Sequence, residues 1–259
     1  MALCCGLLAL HYTGCQSGPE RRAEIERTKQ LKIATDATYP PFEYMDSARG
    51  GVTGLDIDLS RIVWGRLGYE IEFVVVPFDG IMSGLIQGRY DAVISAFTIT
   101  PERSEQVLFS KAYYDAGQVL AVPSSDTTVE SLADLAGRRI GVQRGSTAET
   151  LAKQEMEVEV FSYDRIEDAF VEMASGNLEA VLNDRPTSEL YIANHEGAKL
   201  VGETLSREQY AVAFRRSDAW LRDLFNSGLT PLLEDGAMIV LKHRYIRPQF
   251  PTDPADKPE

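Results

Sequence analysis

The chain has 259 residues, 44% of them hydrophobic and 25% charged, a globular balance with room for one large domain or two lobes of ordinary size. A formal net charge of −13 argues against nucleic acid, whose phosphates need a face of clustered Lys and Arg. The 3 cysteines, Cys4, Cys5 and Cys15, all sit at the very start, so the body of the chain has none for a disulfide or a metal site, and no cofactor or metal is expected.

The apolar run over 2–10 is too short to span a bilayer. Tyr12-Thr-Gly-Cys15 follows it, with small residues just before a cysteine. That pattern resembles the end of a bacterial lipoprotein signal, whose cysteine becomes the lipidated first residue. Tyr12 stands where Leu is usual, and no Lys or Arg precedes the run; the alternative is an ordinary secretory signal with an incidental Cys15. Export is expected either way. Residues 16–30 are polar and broken by Gly18-Pro19, and read as a tether or a short amphipathic helix.

From Leu31 onward strand and helix patterns alternate. Strands are predicted over 31–35, 71–76 and 92–95, with helices over 55–67 and 81–87. A second set follows Tyr113-Tyr114, with strands over 119–122, 139–142, 158–161, 180–182 and 210–214. Its helices are predicted over 129–135, 146–155, 165–175 and 188–195, and terminal helices over 220–235 and 239–245. The stretch 247–259 carries Pro248, Pro251, Pro254 and Pro258 and reads as a disordered tail. Alternation of this kind predicts mainly parallel sheets flanked by helices, in two lobes with a cleft between them. Ligands of such sheets bind outside the carboxyl ends of the strands.

The residues Ser95-Ala-Phe-Thr-Ile-Thr-Pro-Glu-Arg103 follow the buried-strand pattern Tyr90-Asp-Ala-Val-Ile94. The strand delivers Ser95 and Thr98 to its carboxyl end, and a Thr-Pro-Glu turn presents Arg103. Hydroxyls beside a guanidinium make a seat for a carboxylate, because the planar donors of Arg meet two oxygens at once. The plainer reading is a helix start at Thr100-Pro101-Glu102, with Arg103 a solvated first-turn residue.

Four more segments sit at predicted strand ends. In Thr35-Asp36-Ala-Thr-Tyr39-Pro-Pro-Phe-Glu43, Asp36 could meet a cation and Tyr39 could lay its ring on a ligand, while Pro40 and Pro41 set an extended path. In Pro77-Phe78-Asp79, Phe78 could form the opposite face of a sandwich, or could simply be core. In Gly141-Val-Gln-Arg-Gly145-Ser-Thr-Ala-Glu149 a strand turns through glycine into a helix, and Ser146 with Glu149 has capping-box spacing, so the helix starts near Thr147. Amides at that helix start attract anions, and Gln143 could line the same space. Neither a dinucleotide Gly-x-Gly-x-x-Gly nor a Gly-Lys-Ser/Thr phosphate loop is present there. In Leu182-Asn-Asp184 a carboxylate leaves a buried strand and suits an ammonium group, unless it is a helix cap or is neutralised by Arg185. One carboxylate site, one ammonium site and an aromatic clamp with a further acid form the recognition set for a free α-amino acid.

Thr35 to Glu43, Gly54-Leu-Asp-Ile-Asp-Leu59, the 95–103 segment, Phe109-Ser-Lys-Ala-Tyr-Tyr114 and Gly145-Ser-Thr147 together resemble the polar amino acid-binding proteins of bacterial ABC transporters, the extracellular solute-binding proteins of family 3. The resemblance spans nearly all of 31–245. It implies a two-lobed α/β fold of the periplasmic-binding-protein type II, joined by two hinge strands near 114–118 and 207–212. The expected organisation is a signal over 1–15, a tether over 16–30, a first lobe from 31–115 plus 211–246, a second lobe over 116–210 and the tail over 247–259. By resemblance, Arg103 takes the α-carboxylate with Thr98, Ser146 and Thr147. Asp184 and Ser95 receive the α-amino group, Tyr39 and Phe78 sandwich the side chain, and Asp36 faces its far end. Ala96 replaces a Ser or Gly common in the family.

The implied protein is a monomer outside the cytoplasm, held by a lipid anchor, that closes on an amino acid and hands it to a membrane permease. Asp36 and the aromatic pair favour a cationic ligand, arginine before lysine or histidine, with glutamine open. The alternatives are a secreted dehydratase-type enzyme on the same fold and an amino acid-sensing receptor subunit. An enzyme would need a spare acid–base group in the cleft. Outside the signal the only histidines are His195 and His243, both on predicted surface helices, and Glu43 is the one unassigned acid at a strand end.

Overall fold

The computed structural model describes residues 18–246 except 49 and 156. The segment expected to be a signal, Cys15 and the expected tail over 247–259 lie outside the described residues. Two five-stranded sheets organise the chain. The first runs in the order Glu70–Val75, Gln30–Thr35, Ala92–Val93, Ala213–Arg215 and Val107–Phe109. The second runs Glu159–Tyr163, Arg139–Gln143, Ala180–Asp184, Gln118–Pro123 and Ala198–Val201.

Both sheets are mainly parallel with one reversed strand, Ala213–Arg215 in the first and Gln118–Pro123 in the second, each antiparallel to both neighbours. The reversal has a topological cause. Each reversed strand is the first one entered after the chain has crossed from the other sheet, so it starts at the end where its parallel neighbours finish. Gln118 accordingly pairs with Asp184, and Ala213 with Val93. The crossing strands Tyr114–Ala116 and Glu208–Tyr210 pair antiparallel with each other, which brings the carboxyl ends of both sheets to the crossing.

Periodicity made most elements legible. Helix Leu55–Arg66 buries Leu55, Ile57, Leu59, Val63 and Trp64, and the Trp64 ring lies 5.2 Å from Phe225 of helix Ala219–Glu234. Truncating an aromatic packed this way costs about 3–5 kcal/mol. The helix begins after Gly54, whose φ of 127° and close approach to Phe42 leave no room for a side chain: a Cβ there would lie 2.1 Å from the Phe42 carbonyl oxygen.

Some expectations are corrected. Of the two readings of 16–30, tether or short helix, the helix is realised over Gly18–Thr28, docked on the first sheet's lobe. Ile25 is buried, and the Arg21 Nε and Nη2 donate to Asp91 at 2.8 and 2.5 Å, replacing water around a buried carboxylate. The helix predicted over 129–135 shrinks to one turn, Leu132–Leu135. Asp126 accepts from the amides of Thr128 and Val129, and Asp134 from those of Glu130 and Ser131, so side chains take the donors a helix would use. Pro40 and Pro41 form a turn rather than an extended path, with the Phe42 amide donating back to the Tyr39 carbonyl at 3.0 Å. A small sheet of Thr38–Tyr39, Glu43–Asp46 and Gly51–Thr53 was not foreseen. Among the described residues no helix is long and apolar enough to cross a membrane.

Candidate functional site

The strand ends converge on one pocket. Tyr39, Phe78, Ser95, Ala96, Thr98 and Arg103 line it from the first sheet's side, and Gln143, Ser146, Thr147 and Asp184 from the second's. Of the predicted site residues only Asp36 is not on its wall.

The helix start of the plainer reading is realised, but Arg103 faces the pocket rather than solvent. Thr100 caps a one-turn helix, Pro101–Ser104, by accepting from the Arg103 amide at 3.2 Å, and that turn aims Arg103 at the pocket. Nη1 donates to the Thr98 carbonyl at 2.9 Å and Nη2 to the Gly145 carbonyl at 3.1 Å, so the side chain reaches across the cleft. The guanidinium carbon lies 4.1 Å from the centroid of the Phe97 ring and 5.7 Å from that of Phe78. Among the described residues it forms no ion pair, its hydrogen-bond partners being the two carbonyls. Loss of water pulls its pKa down to about 10, against the opposing fields of Glu208 and Asp184. A desolvated cation without a contacting carboxylate is an anion seat.

Asp184 supplies the opposite pole. It ends a strand that is buried throughout and accepts from the hydroxyls of Tyr210 and Tyr39, the latter at 3.1 Å. Tyr39 also lies 2.7 Å from Asn183 Oδ1. Burial, then the nearby Glu208 charge, push the Asp184 pKa up to about 7, while Tyr210, Tyr39 and Arg103 pull the other way. Arg185 does not neutralise it: its guanidinium turns to Glu189 at 3.1 Å and Thr204 at 2.8 Å.

Helix Thr147–Glu155 starts where the capping spacing puts it. The Ser146 hydroxyl accepts from the Glu149 amide at 3.1 Å and donates to the Gln143 carbonyl at 2.7 Å. The Glu149 carboxylate returns to the Gly145 amide, at 2.7 Å, rather than to Ser146.

Asp36 stands one hydrogen bond behind the wall. Its carboxylate accepts from the Thr38 hydroxyl and, across the cleft, from Gln143 Nε2 at 3.2 Å; burial raises its pKa. Ser95 is largely committed inward, its hydroxyl accepting from the Asp36 amide at 3.0 Å and donating to Glu43 at 2.8 Å. One lone pair of that hydroxyl is left for a ligand. Behind it Glu43 and Asp56 are both fully buried, and burial raises the pKa of each; the Asp56 charge raises Glu43 further, while the contact with Glu43 draws Asp56 the other way. Asp56 accepts from the amide of Ala96, at 2.7 Å, and Ala96 has a φ of 43°. The acid pair thus holds the pocket floor in a backbone conformation that L residues rarely adopt. Phe78 packs against Phe97, centroids 5.8 Å apart, at the flank of Arg103.

Sequence reasoning missed Glu208, Tyr210 and Asn183. Asn183 stood inside the Leu182-Asn-Asp184 segment. Glu208 fell in a stretch read only as a crossing, and Tyr210 was read as the start of a strand; Glu208 stands in the polar run Ser206-Arg-Glu-Gln209, so no sequence signal set it apart.

Two α/β lobes, two crossing strands and a pocket with a half-buried cation on one wall and a buried carboxylate on the other define a solute-binding protein of the two-lobed kind. Residues 31–248 match the model of the bacterial extracellular solute-binding proteins, family 3. The chain belongs to that family. It is 32% identical to ABC transporter arginine-binding protein 1 of Escherichia coli (strain K12), over 80% of this chain and 87% of the relative. It is 30% identical to the arginine-binding extracellular protein ArtP of Bacillus subtilis (strain 168), over 95% and 96% respectively. The fold superposes on an ancestral arginine-binding protein bound to arginine with a TM-score of 0.79 at 37% identity, covering 84% of this chain and 98% of the other. It also superposes, at a TM-score of 0.81 and 32% identity, on the ancestral amino acid-binding protein AncCDT-1, a precursor of cyclohexadienyl dehydratase, covering 87% and 99%.

Proposed function

We propose that the protein captures a free amino acid outside the cytoplasm by closing its two lobes, and delivers it to an ABC transporter permease. The observation that carries this reading is Arg103: a desolvated guanidinium facing the pocket and held by two carbonyls without an ion-pair partner among the described residues. In this reading Arg103, with Thr98, Ser146 and Thr147, takes the α-carboxylate. Asp184 takes the α-ammonium group, with Ser95 and Ala96 forming the floor. Tyr39 and Phe78 flank the side chain, and Gln143 relays to Asp36 at its far end.

Arginine is the first ligand, then lysine or histidine, with glutamine next. Support comes from the carboxylate excess around the pocket, Asp184, Glu208 and Asp36 against Arg103, and from the two arginine-binding relatives. The lobes are assigned as 31–115 with 211–246, and 116–210, and the crossing strands as the hinge, since a few residues suffice for closure. Cys15 is assigned as the lipid attachment point.

A thermal-shift screen against the twenty amino acids tests the proposal. A ligand bound only by the folded state at about 100 times its Kd adds about 2.7 kcal/mol. L-Arginine is expected to give the largest upward shift. No shift with any amino acid overturns the reading.

A further inference from the structure

We propose that Glu208 is an internal competitor for the carboxylate seat: it holds the two threonine hydroxyl protons that a ligand's α-carboxylate would take. The inference rests on the amino acid reading given above.

Glu208 is 9% exposed and lies on the crossing strand Glu208–Tyr210. Its Oε2 accepts from Thr98 Oγ1 at 2.8 Å and from Thr147 Oγ1 at 2.9 Å. Thr98 follows a strand of the first sheet, and Thr147 opens a helix beside the second, so a single oxygen ties the two walls of the pocket together. Oε1 accepts from Ser206 Oγ at 3.0 Å, which anchors the carboxylate in the crossing.

Proton counting decides the issue. A hydroxyl carries one donor hydrogen. Thr147 Oγ1 already accepts from Gln118 Nε2 at 2.8 Å, so its proton is directed at Glu208 rather than free to rotate. A carboxylate arriving at Arg103 therefore gains the Thr98 and Thr147 protons only by taking them from Glu208. Charge points the same way. Glu208 sits in the field of both Arg103 and Asp184, offsetting the attraction of Arg103 for an anion and repelling a second carboxylate. The consequence is a pocket that binds its ligand less tightly than Arg103 alone would, and that has a replacement carboxylate ready when the ligand leaves.

The test is isothermal titration of L-arginine and of L-argininamide, which lacks the carboxylate charge, into the intact protein and its Glu208→Gln and Glu208→Ala variants, each checked for an unchanged fold by circular dichroism. Glu208→Ala releases both hydroxyl donors to a charged acceptor and tightens L-arginine binding on the order of tenfold, while Glu208→Gln, whose amide oxygen still accepts, removes only the charge and tightens it less. L-Argininamide binding stays within about twofold, because it has no second carboxylate to compete. Unchanged or weaker L-arginine binding overturns the proposal, as does an equal gain for the amide, which would mark a general effect on the fold. Binding of neither compound by the unaltered protein overturns the arginine assignment on which this test rests, an outcome separate from any difference between variants.

Discussion

Ligand binding should expel a proton from Asp184, and the structure sets the pH range. Burial raises this carboxyl from 3.8 to about 7. At about 1.4 kcal/mol per pH unit, keeping it ionised in the folded protein costs about 4 kcal/mol. The sign follows from linkage. The folded state holds a proton that the unfolded chain releases above 3.8, so this group's contribution to stability is complete below 3.8, is lost as the pH rises toward 7, and is level above that. An ammonium ligand needs the ionised form. Its affinity therefore rises with pH, by up to about tenfold per unit, until the pH passes about 7. Calorimetric titration of L-arginine in buffers of different ionisation enthalpy reads the proton directly: most of a proton is released per ligand at pH 6, and the release falls away as the pH rises past about 7. Asp184→Asn should abolish the release and weaken binding by about a hundredfold, since a charge-assisted hydrogen bond is worth about 1.5–3 kcal/mol and the ion pair is lost with it. A pH-independent affinity with no proton released at pH 6 would refute the role given to Asp184.

Three further outcomes follow from particular contacts. Arg103→Lys keeps the charge but loses the planar fork, and titration should show L-arginine affinity reduced at least about tenfold; unchanged affinity would remove Arg103 from the carboxylate seat. Asp36→Asn should reduce the preference for arginine over glutamine in competitive titration, because the cationic end loses the carboxylate behind Gln143; an unaltered preference would show that charge selection lies elsewhere. Gly54→Ala should destabilise the fold by about 2–4 kcal/mol in urea denaturation, since a Cβ at φ 127° would lie 2.1 Å from the Phe42 carbonyl oxygen; a loss under about 0.5 kcal/mol would show that the turn relaxes freely.

Much of the fold was legible because helical and strand periods change sharply along the chain. Leu55, Leu59 and Val63 mark one helix face, and the apolar run over 180–182 announces the buried strand that extends to Asp184. The site residues were legible because parallel sheets deliver strand-end side chains to a shared edge, and the types at those ends were chemically complementary. What stayed hidden depended on contacts distant in sequence. A helix near Gly18–Thr28 was one of two readings, but its docking was not legible: it is polar in composition and seats through buried Ile25, Arg22 over Trp220 and an Arg21–Asp91 pair 70 positions apart. The aspartates that shorten the helix predicted over 129–135 compete locally for amides, which hydrophobic spacing does not register. Asp36 was expected at the pocket wall, yet Thr38 beside it and Gln143 across the cleft hold its carboxylate one layer back. Glu208 escaped notice because its meaning comes from Thr98 and Thr147, which reach it from two different lobes.

The central claim is that the pocket grips both charged groups of a free α-amino acid, the carboxylate at Arg103 and the ammonium at Asp184. Direct titration of three compounds tests it: L-arginine, the same molecule without its carboxylate (agmatine), and the same molecule without its α-amino group. L-Arginine should bind one to one, with each truncated compound weaker by at least about a hundredfold, in keeping with the loss of a charge-assisted contact on either wall. Binding of either truncated compound as tightly as L-arginine would contradict the account.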